Sequence, residues 1–196
     1  MSMPLAEREL LNAQSRHRWT VAEYHRMAEV GLLHEDSRVE LIDGEIIEMA
    51  PIGSEHAGHN NHLLSLLAYH LHGKAIVAGQ NPVILGGYEE PQPDIALLRW
   101  RNDYYRTAHP RAEDVLLIIE ISDGTLLYDR DVKMPLYAKN GIPEVWLLDI
   151  QNRQLEIYRE PINGVYQQRD CRCTGQITPI LCPDAVIDLA ELFPNP

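Results

Sequence analysis

Two carboxylates and one lysine are the side chains best placed for chemistry in this chain. Asp94 leads into the apolar run at 95–98, and Glu120 closes the apolar run at 115–119. A charged side chain at such a place costs several kcal/mol unless it is paired or binds a metal. Lys133 follows on the next predicted helix. Together the three residues predict a metal site with a lysine beside it.

The two apolar runs are predicted to be strands, and the metal site requires them to lie side by side. Neighbouring strands are about 4.8 Å apart, which lets both carboxylates reach one ion. Two such charges ~4 Å apart repel by roughly 4 kcal/mol at an effective dielectric constant near 20, and a shared divalent cation resolves that repulsion. Oxygen ligands favour Mg²⁺ or Mn²⁺ over zinc. The main-chain carbonyl of Ile121 is the predicted third ligand.

A third helix, predicted near 129–140, positions the lysine. From this helix Lys133 is able to project back to the end of the Glu120 strand, and Asp129 lies one turn earlier, where it supports the lysine. A lysine beside a metal-bound water orients that water and offsets developing negative charge. Pro135 within the segment predicts a kink or a late helix start.

The other elements are indicated by caps, turns and hydrophobic spacing. Thr20 and Glu23 form a capping box for a first helix, and Ser54 begins a second. Asp43-Gly44 is a strong hairpin signal. Further strands are expected at 39–42, 45–49, 75–78, 82–85, 145–148 and 155–158. The pattern predicts an α/β (α+β) fold with a mixed central β-sheet flanked by helices.

Length and composition fit one domain. The chain has 196 residues, of which 45% are hydrophobic, and we expect a single domain at 19–196 preceded by a poorly ordered or loosely docked arm at 1–18. No apolar stretch is long enough to span a bilayer and no secretory segment is present, so we expect a cytoplasmic protein without a membrane partner. The three cysteines, Cys171, Cys173 and Cys182, agree with reduced thiols.

Charge limits the nucleic-acid hypothesis. The chain has 17 basic and 29 acidic side chains, a net charge of -12, which opposes general adhesion to a polyanion. A DNA-binding surface must therefore be local. The predicted DNA-contacting side chains lie among aromatic residues at 99–111: Arg99, Arg101, Arg106 and Arg111. The alternative is a solvated loop whose aromatic residues pack on the domain or on a dimer partner.

Two further patterns are weighed as candidate sites. His56, His59 and His62 are spaced by three residues on the second helix, so they drift around it and do not meet one ion easily. Surface or polar-interface positions are favoured, with a supporting role for His59 at the cleft as the alternative. No Walker-type or dinucleotide glycine pattern and no Gly-x-Ser-x-Gly elbow occurs, which excludes a nucleotide cofactor and the ATPase, dehydrogenase and esterase classes.

Six short segments follow one another in the order of a known pattern. They are Glu40-Leu41-Ile42-Asp43-Gly44-Glu45, Pro93-Asp94, Glu120-Ile121-Ser122, 129–133, Tyr137-Ala138 and Gly141-Ile142-Pro143-Glu144-Val145-Trp146-Leu147-Leu148-Asp149. On these segments the chain resembles the PD-(D/E)xK nuclease superfamily, and within it the family of putative restriction endonucleases long catalogued as a domain of unknown function. The resemblance covers about residues 20–160.

The resemblance implies a restriction-endonuclease-like core with an added C-terminal β segment and Mg²⁺-dependent cleavage of DNA. Asp94 and Glu120 would be ligands of Mg²⁺ or Mn²⁺, and Lys133 the catalytic lysine. Glu40, near the family's N-terminal glutamate, would assist a second metal or hold the site together. Ser122 departs from the superfamily pattern, which has lysine at that place. The family's usual answer is a lysine on the next helix, as Lys133 would be.

The competing hypothesis is a catalytically inactive module of the same fold that binds a partner or nucleic acid without cutting it. In that case the two carboxylates form ion pairs with Arg99, Arg130 or Lys133. Ser122 and the net charge support this hypothesis. The inactive module is expected to be a homodimer. A homodimer is also expected for the nuclease, since cleavage of both strands of a duplex usually needs two sites.

Overall fold

The computed structural model describes residues 16–34 and 36–193, so most of the predicted arm at 1–18 lies outside the described residues. The elements in chain order are α1 (Val21–Glu29), β1 (Val39–Ile42), β2 (Glu45–Glu48), α2 (Ser54–Leu71), β3 (Ala75–Gly79), β4 (Ile95–Arg99), a 3₁₀ turn (Ala112–Asp114), β5 (Val115–Ser122), α3 (Leu126–Tyr128), a π-helical turn (Asp129–Lys133), α4 (Met134–Lys139), β6 (Glu144–Asp149), β7 (Gln154–Ile162), β8 (Val165–Arg172), β9 (Gln176–Ile177), β10 (Ile187–Asp188) and α5 (Leu189–Leu192).

A six-stranded mixed sheet forms the centre of the molecule. Its strand order is β3-β4-β5-β6-β7-β8, and only β5 and β6 are parallel. Two small hairpins, β1-β2 and β9-β10, lie outside it. The expected mixed sheet flanked by helices is thereby confirmed, as is the added β structure at the C-terminal end.

Helices cover both faces of the sheet. On one face, the leucines of α2 at 63, 67 and 71 pack on residues of β4, β5 and β6 such as Ile119 and Trp146. On the other face, Met134 and Tyr137 of the segment at 126–139 pack with Ile118 and Leu147. Because side chains alternate along a strand, Glu120 points to the second face, the one covered by 126–139.

The predicted third helix starts earlier than expected and contains a π turn. The helical segment begins at Leu126, and Met134 N–H bonds to the carbonyl of Asp129 five residues back. Pro135 follows directly on the π turn inside the helical segment at 126–139, and it has no N–H to donate to the preceding turn. Asp129 and Lys133, at the two ends of the π turn, are both buried.

The predicted strand at 82–85 is wrong. Ile84 makes only an isolated bridge with Arg111, and Val83 N–H bonds to the carbonyl of Pro91 within a loop. The hairpin turn that Asp43-Gly44 indicated does form, and there Gly44 adopts φ +80° with Arg18 packed against its Cα. Within the residues described, no helix has the length and apolar content needed to cross a membrane.

Candidate active site

The two predicted carboxylates are brought together by strand pairing. β4 and β5 are antiparallel neighbours with Ile95 opposite Ile119, so Asp94 lies opposite Glu120 one residue further on. Both point to the face covered by 126–139, since they alternate with core residues of the other face. The expectation that the two strands are adjacent is confirmed.

Pro93 explains why the main-chain carbonyl oxygen of Ile121, beside Asp94 and Glu120, has no hydrogen-bond donor from β4. The Ile121 N–H bonds to Asp94 Oδ2 at 2.8 Å, so the N–H and C=O of Ile121 both point to the β4 side. Continued pairing would place Pro93 opposite Ile121, and proline has no N–H to donate. The Ile121 carbonyl is therefore without its sheet donor, next to the two carboxylates.

Lys133 reaches the carboxylates from the π turn. Its side chain is buried, and Nζ lies 3.2 Å from Glu120 Oε1 and 3.4 Å from Glu40 Oε2. Asp129 begins the same turn and accepts a hydrogen bond from Thr125 Oγ1 at 2.7 Å. The lysine thus lies between two buried glutamates and is not directed to solvent.

Two further hydrogen-bond donors hold Glu40 and Glu120 in place. Glu40, buried on β1, accepts a hydrogen bond from the main-chain N–H of Gln92 at 3.2 Å. The hydroxyl of Tyr137, fully buried on α4, donates to Glu120 Oε1. Ser122 is buried at the end of β5, and its Oγ lies 3.5 Å from Thr125 Oγ1 without a contact to Lys133.

The electrostatics of the cluster favour a cation. Burial raises the pKa of Glu120 to about 8, the charge of Lys133 opposes this shift, and the nearby acids Asp94 and Asp129 add to it. The pKa of Asp129 is raised as well, chiefly by burial. Although burial acts in the opposite direction, the surrounding carboxylates raise the pKa of Lys133, so its ammonium stays charged. The cluster therefore has more acid groups than one lysine neutralises.

His56, and not His59, is the histidine at the site. His56 Nε2 lies 3.1 Å from Asp94 Oδ1, and its Nδ1 is buried without a hydrogen-bond partner in the part of the chain that the structure describes. The hydrogen bond to Asp94 raises the pKa of His56 against the effect of burial. The prediction for His59 is corrected: its Nδ1 lies 2.9 Å from the carbonyl of Glu55, and its ring is near Phe193. His59 is rotated about 60° around α2 from His56.

The cluster opens into a cleft of about 490 Å³. Its lining combines the acids, Lys133 and His56 with an apolar wall from the β2–α2 connection and with polar side chains at the mouth. The wall consists of Ile47, Met49, Ala50, Pro51 and Ile52, and the polar side chains include Arg38, Gln80, Gln92 and Tyr128.

The predicted DNA-contacting arginines lie elsewhere. Arg99 ends β4, five residues from Asp94, which places the segment at 99–111 roughly 17 Å away at the opposite end of the strand. None of its four arginines lines the cleft. Arg101 pairs with Asp103 and stacks on Tyr105, and Arg106 donates to the carbonyl of Asp103. Arg101 and Arg106 thus contact their own loop, and a DNA contact by the four arginines stays a prediction.

The donors present fit a hard divalent ion. Asp94, Glu120 and the Ile121 carbonyl supply oxygens only, as Mg²⁺ and Mn²⁺ prefer. Over residues 16–34 and 36–193, no three His, Cys, Asp or Glu side chains form a group able to hold a metal. A protein set of two carboxylates and a carbonyl is nevertheless usual for Mg²⁺, which keeps several waters and takes oxygens from a phosphate substrate.

Sequence reasoning assigned no role to His56, Tyr137, Arg38 or Gln92. His56 was detectable, because it continues the buried stripe of α2 toward the N-terminus. Tyr137 belongs to the Tyr137-Ala138 segment of the family pattern. Arg38 and Gln92 carry no local signal, since their place at the cleft depends on which loops meet there.

A half-buried aspartate and a buried glutamate beside a buried lysine, on a mixed sheet of this topology, are typical of restriction-endonuclease-like proteins, and comparison with known proteins identifies the family. A model described as "Uma2: Putative restriction endonuclease" matches residues 21–190, so the chain belongs to this family, as the resemblance implied. A solved structure, a putative nuclease belonging to DUF820 from Anabaena variabilis ATCC 29413, matches with a TM-score of 0.69 and 18% identity over 89% of this chain and 97% of that one. This likeness shows a shared fold. No curated protein matches the chain.

Proposed function

We propose that the protein hydrolyses phosphodiester bonds of DNA with Mg²⁺ or Mn²⁺ held by Asp94, Glu120 and the Ile121 carbonyl. The observation that carries the proposal is the buried ammonium of Lys133, 3.2 Å from Glu120 Oε1 at the end of the β4–β5 pair. This is the lysine that a nuclease site requires and that Ser122 does not provide. Membership in the restriction endonuclease family supports the same reaction class.

In this reaction a water oxygen forms a bond to phosphorus, the bond from phosphorus to one sugar oxygen breaks, and a proton from the water ends on the leaving oxygen. When bound, the metal would polarise the phosphate and lower the pKa of the attacking water. Lys133 orients that water and offsets the charge that develops on the phosphate oxygens. Its permanent charge suits it to this role better than to proton transfer.

Glu40 and Tyr137 position Lys133 and Glu120, respectively. Glu40 holds the Lys133 ammonium from the side opposite Glu120, which restricts the lysine to the cleft. Tyr137 fixes the orientation of the Glu120 carboxylate through Oε1, which leaves Oε2 for a metal ion. Asp129 adds negative charge that maintains the ammonium in its charged form.

The test is metal-dependent cleavage of DNA by the purified protein and by Lys133→Met. This variant keeps the length of the side chain and removes its charge. Lys74→Met is the matched control, because Lys74 is exposed and pairs only with the exposed Asp184. We expect cleavage by the unaltered protein and by Lys74→Met and a loss of roughly a hundredfold or more in Lys133→Met. Equal activity in all three proteins would exclude this role for Lys133.

The inactive module is the second candidate, supported by the remote position of the arginines at 99–111. It predicts no binding of Mg²⁺ or Mn²⁺ that Glu120→Gln abolishes, which calorimetry measures. A homodimeric state and a cytoplasmic location are proposed with either function.

A further inference from the structure

We propose that the cleft takes one unpaired nucleotide, so that the substrate is single-stranded DNA and not an intact duplex. This inference rests on the proposed function of the same site. It assigns a base to the apolar part of the cleft. Phosphodiester hydrolysis alone does not explain why that part is apolar.

The depth of the reacting groups is the first argument. Glu120 is 2% exposed and Lys133 6% exposed, so the phosphate must enter the cleft to reach them. A volume of about 490 Å³ admits a group the size of one small ligand. A base-paired strand does not deliver a phosphate to such a depth, because its partner strand and stacked neighbours enter with it. An unpaired strand does so by turning one nucleotide inward.

The apolar wall is the second argument. Met49, Pro51 and Ile52 line the same cleft as the acids, and Ile52 remains 37% exposed. A phosphate gains nothing from these side chains, whereas the face of an unstacked base is stabilised by apolar contact. The wall and the metal-binding acids are therefore placed to hold the two ends of one nucleotide, base and phosphate.

Unsatisfied polar atoms at the cleft are the third argument. The hydroxyl of Tyr128 is buried and has no hydrogen-bond partner among the described residues. Gln80 is in the left-handed region with φ 53°, a conformation that is uncommon for glutamine. The side chains of Gln80 and Gln92 form no hydrogen bond within the described chain, so their amides are available to the edge of a base.

Charge around the mouth argues against a duplex. Double-stranded DNA presents phosphates on two backbones, and a surface that binds it requires several cationic side chains. Arg38 is the one arginine that lines this cleft, while Glu48 and Asp123 line it with negative charge. One arginine and one bound metal suffice for the phosphates that flank a single nucleotide.

The experiment compares two substrates without ends: single-stranded circular DNA and relaxed, covalently closed duplex of the same sequence, each with Mn²⁺. We expect cleavage of the single-stranded circle to be at least about tenfold faster per molecule. Equal or faster cleavage of the duplex would overturn the inference while leaving the proposed hydrolysis intact.

A binding measurement separates the inference from the hydrolysis. Fluorescence anisotropy follows a labelled 15-nucleotide strand and its fully paired duplex with Ca²⁺ in place of Mn²⁺. At least about tenfold tighter binding of the strand supports the inference whether or not DNA is cut, and only an absence of cleavage with Mn²⁺ would tell against the hydrolysis. Equal affinity for strand and duplex, or no binding of either, overturns the inference.

A substitution in the wall tests the contact itself. Ile52→Ser is expected to weaken strand binding roughly fivefold or more, because apolar contact with one base is lost. Ile180→Ser is the matched control, since Ile180 is 54% exposed and lies outside the cleft lining. Thermal unfolding of both variants checks that each remains folded. Equal strand binding by the two variants would contradict the proposed contact between a base and the apolar wall.

Discussion

Glu120 and Glu156 are two buried glutamates in one row across the same face of the sheet, with Leu147 between them. Each accepts a hydrogen bond from a tyrosine hydroxyl and forms an ion pair with a basic side chain of the π turn. Tyr137 and Lys133 serve Glu120, whereas Tyr158 and Arg130 serve Glu156. The two clusters use the same kinds of groups and nevertheless differ in electrostatic state.

The difference lies in the balance of charge. Burial alone would raise the pKa of Glu156, but hydrogen bonds from Arg130 and Tyr158 and the charge of Arg169 lower it. Glu120 shares its single lysine with Glu40, and Asp94 and Asp129 are further acids nearby, so its pKa rises to about 8. The Glu156 cluster is complete as a structural ion pair. The Glu120 cluster lacks a positive charge, which is the property of a site that binds a cation.

The largest expected difference between the clusters is in catalysis. Glu120→Gln should lower the rate of DNA cleavage roughly a thousandfold, because the proposed metal ligand is lost, whereas Glu156→Gln should change the rate by less than threefold in protein that is folded. Single-turnover cleavage at saturating Mn²⁺ measures both. Comparable losses in the two variants would show that the clusters do not divide into a functional and a structural one.

Stability should show the reverse order. Glu156→Gln leaves two arginines without their carboxylate and should lower the free energy of unfolding by about 3 kcal/mol, as for a broken buried ion pair. Urea unfolding at pH 7 without metal measures this, with Glu120→Gln as the comparison. A smaller loss is expected for Glu120→Gln, because the native group already tends to keep its proton there. A larger loss in Glu120→Gln would contradict the comparison.

The two clusters should also respond to pH in different ranges. Since the pKa of Glu120 is about 8, the proton competes with the metal, and affinity for Mn²⁺ should fall by up to about tenfold per pH unit below pH 8. The pKa of Glu156 is lowered from 4.5, so the stability it contributes is present above pH 4.5 and is lost as the pH falls further. Calorimetry between pH 6 and 8 and urea unfolding between pH 3 and 6 measure the two effects. A metal affinity that is constant from pH 6 to 8 would contradict the first.

The smallest expected effects separate the two tyrosines. Tyr137→Phe removes only the hydroxyl that orients Glu120 and should weaken Mn²⁺ binding by roughly fivefold, about 1 kcal/mol. Tyr158→Phe removes the equivalent hydroxyl from Glu156 and should leave Mn²⁺ binding unchanged. Calorimetry on both variants at pH 8 makes the comparison. Weaker metal binding in Tyr158→Phe would show that the clusters are coupled.

The sequence predicted the parts of the site that depend on strands. Asp94 and Glu120 flank apolar runs that pair as expected, and the strand period puts both on one face. Lys133 was found through its place on the next helix. The reach of its side chain to Glu120 was only an expectation, since it depends on the π turn, for which the sequence carried no separate signal beyond Pro135.

Some expectations assumed that a suitable composition implies a suitable position. The arginines at 99–111 have the chemistry of a DNA contact but lie at the far end of β4, outside the cleft, so that contact stays a prediction. His59 belongs to the right helix but to the wrong side of it. Residues 82–85 are apolar enough for a strand, but Ile84 makes only an isolated bridge with Arg111.

By itself, then, the sequence determined the alternating and helical faces, the capped helix ends, and the acids that those faces bury, because these follow from local geometry that repeats along the chain. Tertiary structure alone decided which cations reach which acids. Arg130 and Lys133 both lie in the π turn. Arg130 nevertheless pairs with Glu156, whereas Lys133 pairs with both Glu120 and Glu40. The charge balance that distinguishes a binding site from a structural ion pair arises only when β1, β4, β5 and the π turn meet.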